Sequence, residues 1–345
     1  MVNVGNSNQI GESIINLINQ WSGTSFTVRI TNAGNANATW MSIGPRPTIP
    51  VYTDTASNFN THNSVAIAGK IQYICNNTNV YKNTTYGYGN WNNILTMSNP
   101  GTYITCSTDG KYVGAVCQTN VYISVDSGSN WTTFNMPSGS NCVGITCSNS
   151  GDFFYVTDSN NNKVYHNFDK TNNNYDTTSV SLDAQTQSLP FGITTNSSGK
   201  YVYVSMYGLT GGICTSNDYG YNFTNNGILD NGSYKSITTN STGQYLAIAS
   251  DIGGGGAGAM YTSSNYGATM TPVQNVNKNW SSIVSDKTGK FLSATATDGI
   301  YYSRDYGQTW SITNAPNNSY VCMSMNANMA TAITSSKCYV SFNAY

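Results

Sequence analysis

The sequence predicts an all-β fold: a seven-bladed β-propeller of four-stranded blades, closed by an N-terminal strand and preceded by a short helix. Three observations predict it. A glycine turn recurs at Gly69, Gly110, Gly151, Gly199, Gly243 and Gly289, with MNANMATAI near Met329 as a seventh copy lacking the glycine. The interval, roughly 39 to 48 residues, is the length a four-stranded unit needs. Between the turns, short segments alternate apolar and polar residues and are rich in Tyr, Val, Ile and Thr, as half-buried strands are. A second turn, S-x-D-x-G-x-x-aromatic, keeps step with the first: Ser124, Asp126, Gly128, Trp131; Ser216, Asp218, Gly220, Phe223; Ser303, Asp305, Gly307, Trp310.

Residues 1–38 read as a lead. Ile10, Ile14, Leu17, Ile18 and Trp21 recur at helical spacing behind Ser7 and Asn8, predicting a short amphipathic helix. Its roles would be a plug against the propeller or an element for oligomerisation or anchoring. Residues 39–345 read as the propeller. The seventh copy runs through CYVSFNAY to Tyr345 with no room for an outer strand, so an upstream segment has to supply one. Thr39 to Ile43 is the candidate, because its Trp-x-x-Ile matches the start of the outer strands at Trp91, Trp131 and Trp310. Closure of this kind removes two exposed sheet edges and places Trp40 in the sheet of Cys338 to Phe342.

The second turn has a local logic. The Asp side chain accepts backbone N–H groups within the turn, and the Gly takes a backbone conformation other residues avoid. Repeat five departs, with Asn265 at the Asp position and Met270 at the aromatic one, and repeats one and three carry an extra residue before Trp91 and Tyr175, so these copies read as decayed. The turns resemble the Asp-box, or BNR, repeat of sialidases and of many non-enzymatic propellers. The resemblance covers about residues 62–345 and implies fold rather than chemistry, because in that family the box lies between the third and fourth strands, away from the substrate.

Composition narrows the partners. Charged residues are 8 % of the chain, with 14 basic against 15 acidic side chains and no basic block, so phosphate recognition has no footprint. No apolar run is long enough to insert in a membrane, and the N-terminus lacks the pattern of a Sec signal. The eight cysteines form no C-x-x-C, and most sit in alternating segments as small hydrophobes do; Cys106 and Cys117, flanking the turn at Gly110, are the pair to test for a disulfide.

No catalytic constellation, cofactor or metal site is expected. Sialidase chemistry needs three converging arginines, but Arg29 and Arg46 precede the first blade and Arg304 lies in a turn. Glu12 is the sole glutamate, so a hydrolytic carboxylate pair would have to be built from aspartates. Asp109, Asp152 and Asp286 flank the glycine turns. Asp158, Asp251 and Asp298 each end a second strand, which puts them on one face, and they are the candidate binding or acid–base carboxylates beside the local alternative of turn residues. Asp158, Asn160, Asn162 and Asp169 match an EF-hand count, but Lys163 replaces the required glycine. His62 and His166, the two histidines, lie in different repeats with no cysteine at zinc spacing. The GGGGAGA run from Gly253 reads as a flexible loop rather than a phosphate cradle. Tyr86, Tyr219, Tyr266 and Tyr306 stand directly before the box glycine, where their rings would cover the hairpin or stack on a ligand.

The resulting expectation is a non-catalytic recognition or assembly propeller contacting glycans or proteins, displayed on a virion, cell coat or extracellular appendage. Asn-rich Asp-box propellers of large DNA viruses are similar to it. The alternatives are a glycoside hydrolase or lyase using the Asp face, and an intracellular assembly factor.

Overall fold

The computed structural model describes residues 26–30, 39–43, 53–55, 62–169, 171–180, 188–208, 212–229, 233–251, 258–274, 276–326 and 329–341. The lead helix over 10–21 and most of the glycine-rich run lie outside the described residues. Among the described residues there is no helix. Seven four-stranded antiparallel sheets form, six of them running in chain order from an innermost to an outermost strand and the last taking its outermost strand from upstream of the first blade. The innermost strands begin at His62, Gly101, Cys142, Leu189, Ser233, Trp280 and Tyr320, and each neighbours the next around a closed ring, Tyr320–Met325 meeting His62–Ala68. The fold is a seven-bladed propeller.

Closure differs from the expectation. The outer strand of the last blade is Thr53–Asp54, paired with Tyr339 and Val340, and not Thr39–Ile43. Thr39–Ile43 pairs instead with Phe26–Ile30 in a separate two-stranded sheet, where Trp40 stands opposite Arg29. The Trp-x-x-Ile match described a strand but not its partner: alternation fixes that a segment pairs, while hairpin proximity decides with what. Thr55 completes the seam, its N–H and hydroxyl both donating to the Cys338 carbonyl at 3.0 and 3.1 Å.

Burial follows the interfaces rather than the sheets. Seven apolar clusters form, one between each pair of adjacent blades. Between blades two and three, for example, Phe134 from one side meets Phe154, Tyr165 and Phe168 from the other. Each blade is therefore buried on both faces, which explains second strands such as Val113–Cys117 and Ala330–Thr334 that are buried at every position. Tyrosines latch the interfaces: the hydroxyls of Tyr73, Tyr155 and Tyr203 donate across them to the carbonyls of Gly110, Gly199 and Gly243 at 2.9, 2.7 and 2.8 Å. None of the eight cysteines is in a disulfide. Cys106 and Cys117 sit at opposite ends of one hairpin, Cys106 facing Val113 and Cys117 facing Gly101, so that pair is not bridged.

The repeated turns are built as the sequence implies. Ser124, Ser216 and Ser303 each donate to the Asp two residues on and accept the N–H of Gly128, Gly220 and Gly307 at 2.8 to 2.9 Å. Asp126, Asp218 and Asp305 accept the N–H four residues on, from Asn130, Asn222 and Thr309. Trp131 and Trp310 close the turn by donating from Nε1 to the Gly128 and Gly307 carbonyls. Repeat five is not decayed in geometry. Asn265 accepts from Ser263 and from the Thr269 N–H at 2.9 and 3.0 Å, because an amide oxygen serves where a carboxylate does.

Candidate functional site

The first and second strands pair with a register shift in every one of the seven blades, between His62 and Ser64, Gly101 and Tyr103, Cys142 and Gly144, Pro190 and Ile193, Tyr234 and Ser236, Trp280 and Ser282, and Tyr320 and Cys322. A bulge bends its strand, sharpens the twist and re-aims the extra side chain. Seven bulges at one height therefore shape one mouth of the central channel. This is the end where second strands finish and outer strands return inward; the Ser-x-Asp-x-Gly turns lie at the other.

The mouth is a depression of about 670 Å³ lined by bulge residues and hydroxyl groups, among them Ser64, Thr102, Ser236 and Ser282. Those hydroxyls join the blades. Ser64, Ser236 and Ser282 accept the N–H groups of Ile104, Ile283 and Met323 in the following blade. Two glycines let the next blade lean over. A Cβ at Gly144 would stand 2.5 Å from the Phe191 carbonyl oxygen, and one at Gly192 would stand 2.7 Å from that of Lys235.

Phe191, lifted by the bulge after Pro190, consequently reaches over blade three. Its ring meets Tyr103 edge-on at 6.4 Å and lies against Tyr207, tilted 35°, at 5.6 Å. The Lys235 ammonium stands 5.6 Å above the Tyr207 ring. Together with Asn279, Trp280, Ser281, Thr297 and Val321 they line a side cleft of about 590 Å³ opening beside the depression. Tyr207 and Val321 are 36 % and 39 % exposed, which leaves apolar surface facing solvent at this end.

Of the sequence candidates, Asp158 is engaged by five local hydrogen bonds. It is fully buried. One carboxylate oxygen accepts the N–H groups of Asn141, Asn160 and Asn161, and the other accepts the Asn161 amide and the Tyr165 hydroxyl. Burial pushes its pKa up, but donation from Asn141, Asn161, Ser140 and Tyr165 outweighs it and holds the carboxyl below the usual range. Asp298 binds Lys278 at 2.6 Å and the Tyr301 hydroxyl at 3.0 Å. Burial raises its pKa as well, and those two partners bring it below normal. Asp251 pairs with Ser233 at the end of its strand, at the same end as the other two. Asp158 and Asp298 belong to separate local networks. Asp169 accepts from Thr171 in its own turn, away from the Asp158 turn. Among the described residues no three His, Cys, Asp or Glu side chains converge.

Three of the tyrosines before the glycine of the Ser-x-Asp-x-Gly turn pack one face on the preceding blade, and Tyr266 and Tyr306 keep 41 % and 38 % of their surface exposed. Tyr219, Tyr266 and Tyr306 lie 5.0, 4.9 and 4.4 Å from Phe153, Tyr201 and Tyr245 of the preceding blade. Phe191, Tyr207 and Lys235 were not among the sequence candidates. One signal could have found the first: Pro190-Phe191-Gly192 is the one first-strand bulge that carries an aromatic, where the other blades have Asn63, Thr102, Val143, Lys235, Ser281 and Val321.

A chain of "Kuenenia stuttgartiensis Hydrazine Synthase" matches this structure with a TM-score of 0.65 and 11 % identity, over 82 % of this chain and 94 % of that one. The likeness is one of fold. Solved structures in 1603 chains match, so the architecture is shared too widely to specify an activity. No family profile matches the chain, and no curated protein matches it in sequence.

Proposed function

We propose that this propeller is a non-catalytic recognition or assembly module, of the Asp-box kind, that contacts glycans or proteins from a surface such as a virion, a cell coat or an extracellular appendage. The observation that carries the reading is the mouth: exposed Tyr207 and Val321 beside Phe191, Lys235 and a set of neutral hydroxyl and amide groups. Apolar surface rimmed by polar groups is characteristic of contact sites. The commitment of Asp158 and Asp298 to local partners supports binding over hydrolysis, because an acid–base pair needs two carboxyl groups facing one bond. A sparse charge complement, 8 % of residues, suits association through neutral polar groups.

The test is to incubate the full chain with a panel of polysaccharides and with extracts of its native source, measuring retention and released reducing ends together. Stoichiometric retention of a glycan or protein without new reducing ends supports the reading. Turnover of any glycan overturns it.

A further inference from the structure

We propose that the side cleft between Phe191, Tyr207, Lys235 and Trp280 is a binding site for a neutral pyranose oligosaccharide. The inference rests on the recognition reading above and assigns it a site and a ligand chemistry.

Aromatic surface is available in the cleft. Phe191 and Tyr207 pack on one another as a tilted pair, ring centroids 5.6 Å apart and planes 35° from parallel, and the 36 % of Tyr207 left exposed makes a small aromatic platform. The C–H face of a pyranose ring is the apolar surface that such a platform takes. Residues with hydrogen-bonding groups line the same cleft: Lys235, whose ammonium stands over Tyr207, and Asn279, Ser281 and Thr297. Sugar hydroxyls donate and accept equally, and these residue types supply both kinds of partner.

The cleft is also held in shape without a ligand. Trp280 is buried behind it, its Nε1 donating to the Val276 carbonyl at 3.0 Å and its ring packed at 5.3 Å on Tyr301. Ser281 bonds Thr295 at 2.8 Å. Gly192 lets the Lys235 backbone approach Phe191, so the two blades that supply the platform and the ammonium are in direct contact. A preformed site loses little ordering entropy on binding.

Among the described lining residues of the cleft there is no carboxylate, and Asp298, next in sequence to the lining residue Thr297, is turned to Lys278 and Tyr301. A cationic or peptide-amine ligand would lack a counter-charge there. A neutral sugar needs none. The cleft joins the central depression through Tyr103, Lys235, Ser281 and Val321, which leaves room for a chain of sugars to continue towards the axis.

The experiment titrates the full chain with neutral hexaoses (cellohexaose, mannohexaose, chitohexaose) and with hexagalacturonate, by calorimetry and by saturation-transfer NMR. At least one neutral hexaose is expected to bind, with ring C–H protons saturated from aromatic resonances. Tyr207→Ala and Phe191→Ala should each weaken binding tenfold or more, and Lys235→Met severalfold. Tyr306→Ala, at the opposite end, should leave affinity unchanged. Tyr207 is exposed, so its variant keeps the fold and serves if Phe191→Ala does not. Absence of binding to every neutral hexaose, preference for the uronate, or binding indifferent to Tyr207→Ala would each overturn the proposal. Capture of a protein at the mouth with no sugar bound would end this inference and leave the recognition reading standing; sugar turnover would end the recognition reading itself.

Discussion

Tyr306 holds a left-handed backbone, φ +62°, while its ring lies 4.4 Å from that of Tyr245 in the preceding blade. A bulky residue in that conformation carries strain, and the stack across the interface offsets it. The same pairing joins Tyr266 to Tyr201 and Tyr219 to Phe153, so the residue before the turn glycine is an interface residue in three successive junctions. In repeat two Ser127 takes the same conformation without a ring, and its carbonyl accepts from Lys82 of the preceding blade at 2.9 Å.

The stack predicts a measurable coupling. A double-mutant cycle of Tyr245→Leu and Tyr306→Asn, read by urea denaturation, should give an interaction of about 0.5 to 1.5 kcal/mol. Asn tolerates the left-handed backbone, so the cycle isolates the rings. Strict additivity would refute the role given to Tyr306.

Repeat five predicts which substitutions of the Ser-x-Asp-x-Gly turn are tolerated. Asn265 works because its amide donates to the Thr269 hydroxyl at 2.9 Å. Asp305 faces Thr309 in the same place, so Asp305→Asn should cost under about 0.5 kcal/mol. Asp218 faces the Asn222 amide, and Asp218→Asn would set donor against donor. It should cost about 1 kcal/mol or more, recovered by adding Asn222→Thr. Equal costs for the two Asn variants would show the pairing to be irrelevant.

Stability should fall on mild acidification. His166 is buried, its Nε2 paired with Thr178 at 3.0 Å under the exposed ring of Tyr221. Burial lowers its pKa, and the opposing pull of Asp176, Asn167 and Asp218 does not restore it. The unfolded chain therefore binds a proton the folded one refuses, so the His166 contribution is complete above about pH 7 and is lost as pH falls through about 6.5 and below. A second loss, from Asp158, belongs to pH below the ordinary carboxylate range, where its depressed pKa ceases to favour the fold. Urea midpoints measured from pH 8 to 5 should decline for the wild type and flatten for His166→Gln. A flat wild-type profile would contradict this.

The seam predicts a sharp truncation boundary. Removing residues 1–50 leaves Thr53–Asp54 and Thr55 on Cys338–Ser341, so the ring should stay closed; removing 1–57 strips the last blade of its outer strand. Amide exchange in Cys338–Ser341 should be protected in the first chain and fast in the second. Fast exchange in both would move the closing strand back to the region of Trp40.

By itself the sequence determined what repeats: strand alternation, glycine turns at Gly110 or Gly243, and the Ser216-x-Asp218-x-Gly220 hydrogen-bond circuit are local, made among residues a few positions apart, so their pattern is legible in order along the chain. The seven-bladed ring followed from that period and from the need to cover both faces of every sheet. Tertiary structure alone decided that Asp158 is consumed by Asn141, Asn161 and Tyr165, that Thr53–Asp54 rather than Thr39–Ile43 closes the ring, and that Tyr219, Tyr266 and Tyr306 face a neighbouring blade. It alone brought Phe191 onto Tyr103, from blades that are not adjacent. Those outcomes depend on distances across blade interfaces, set by how seven curved sheets pack around an axis, and side chains that meet there are separated in sequence by whole repeats.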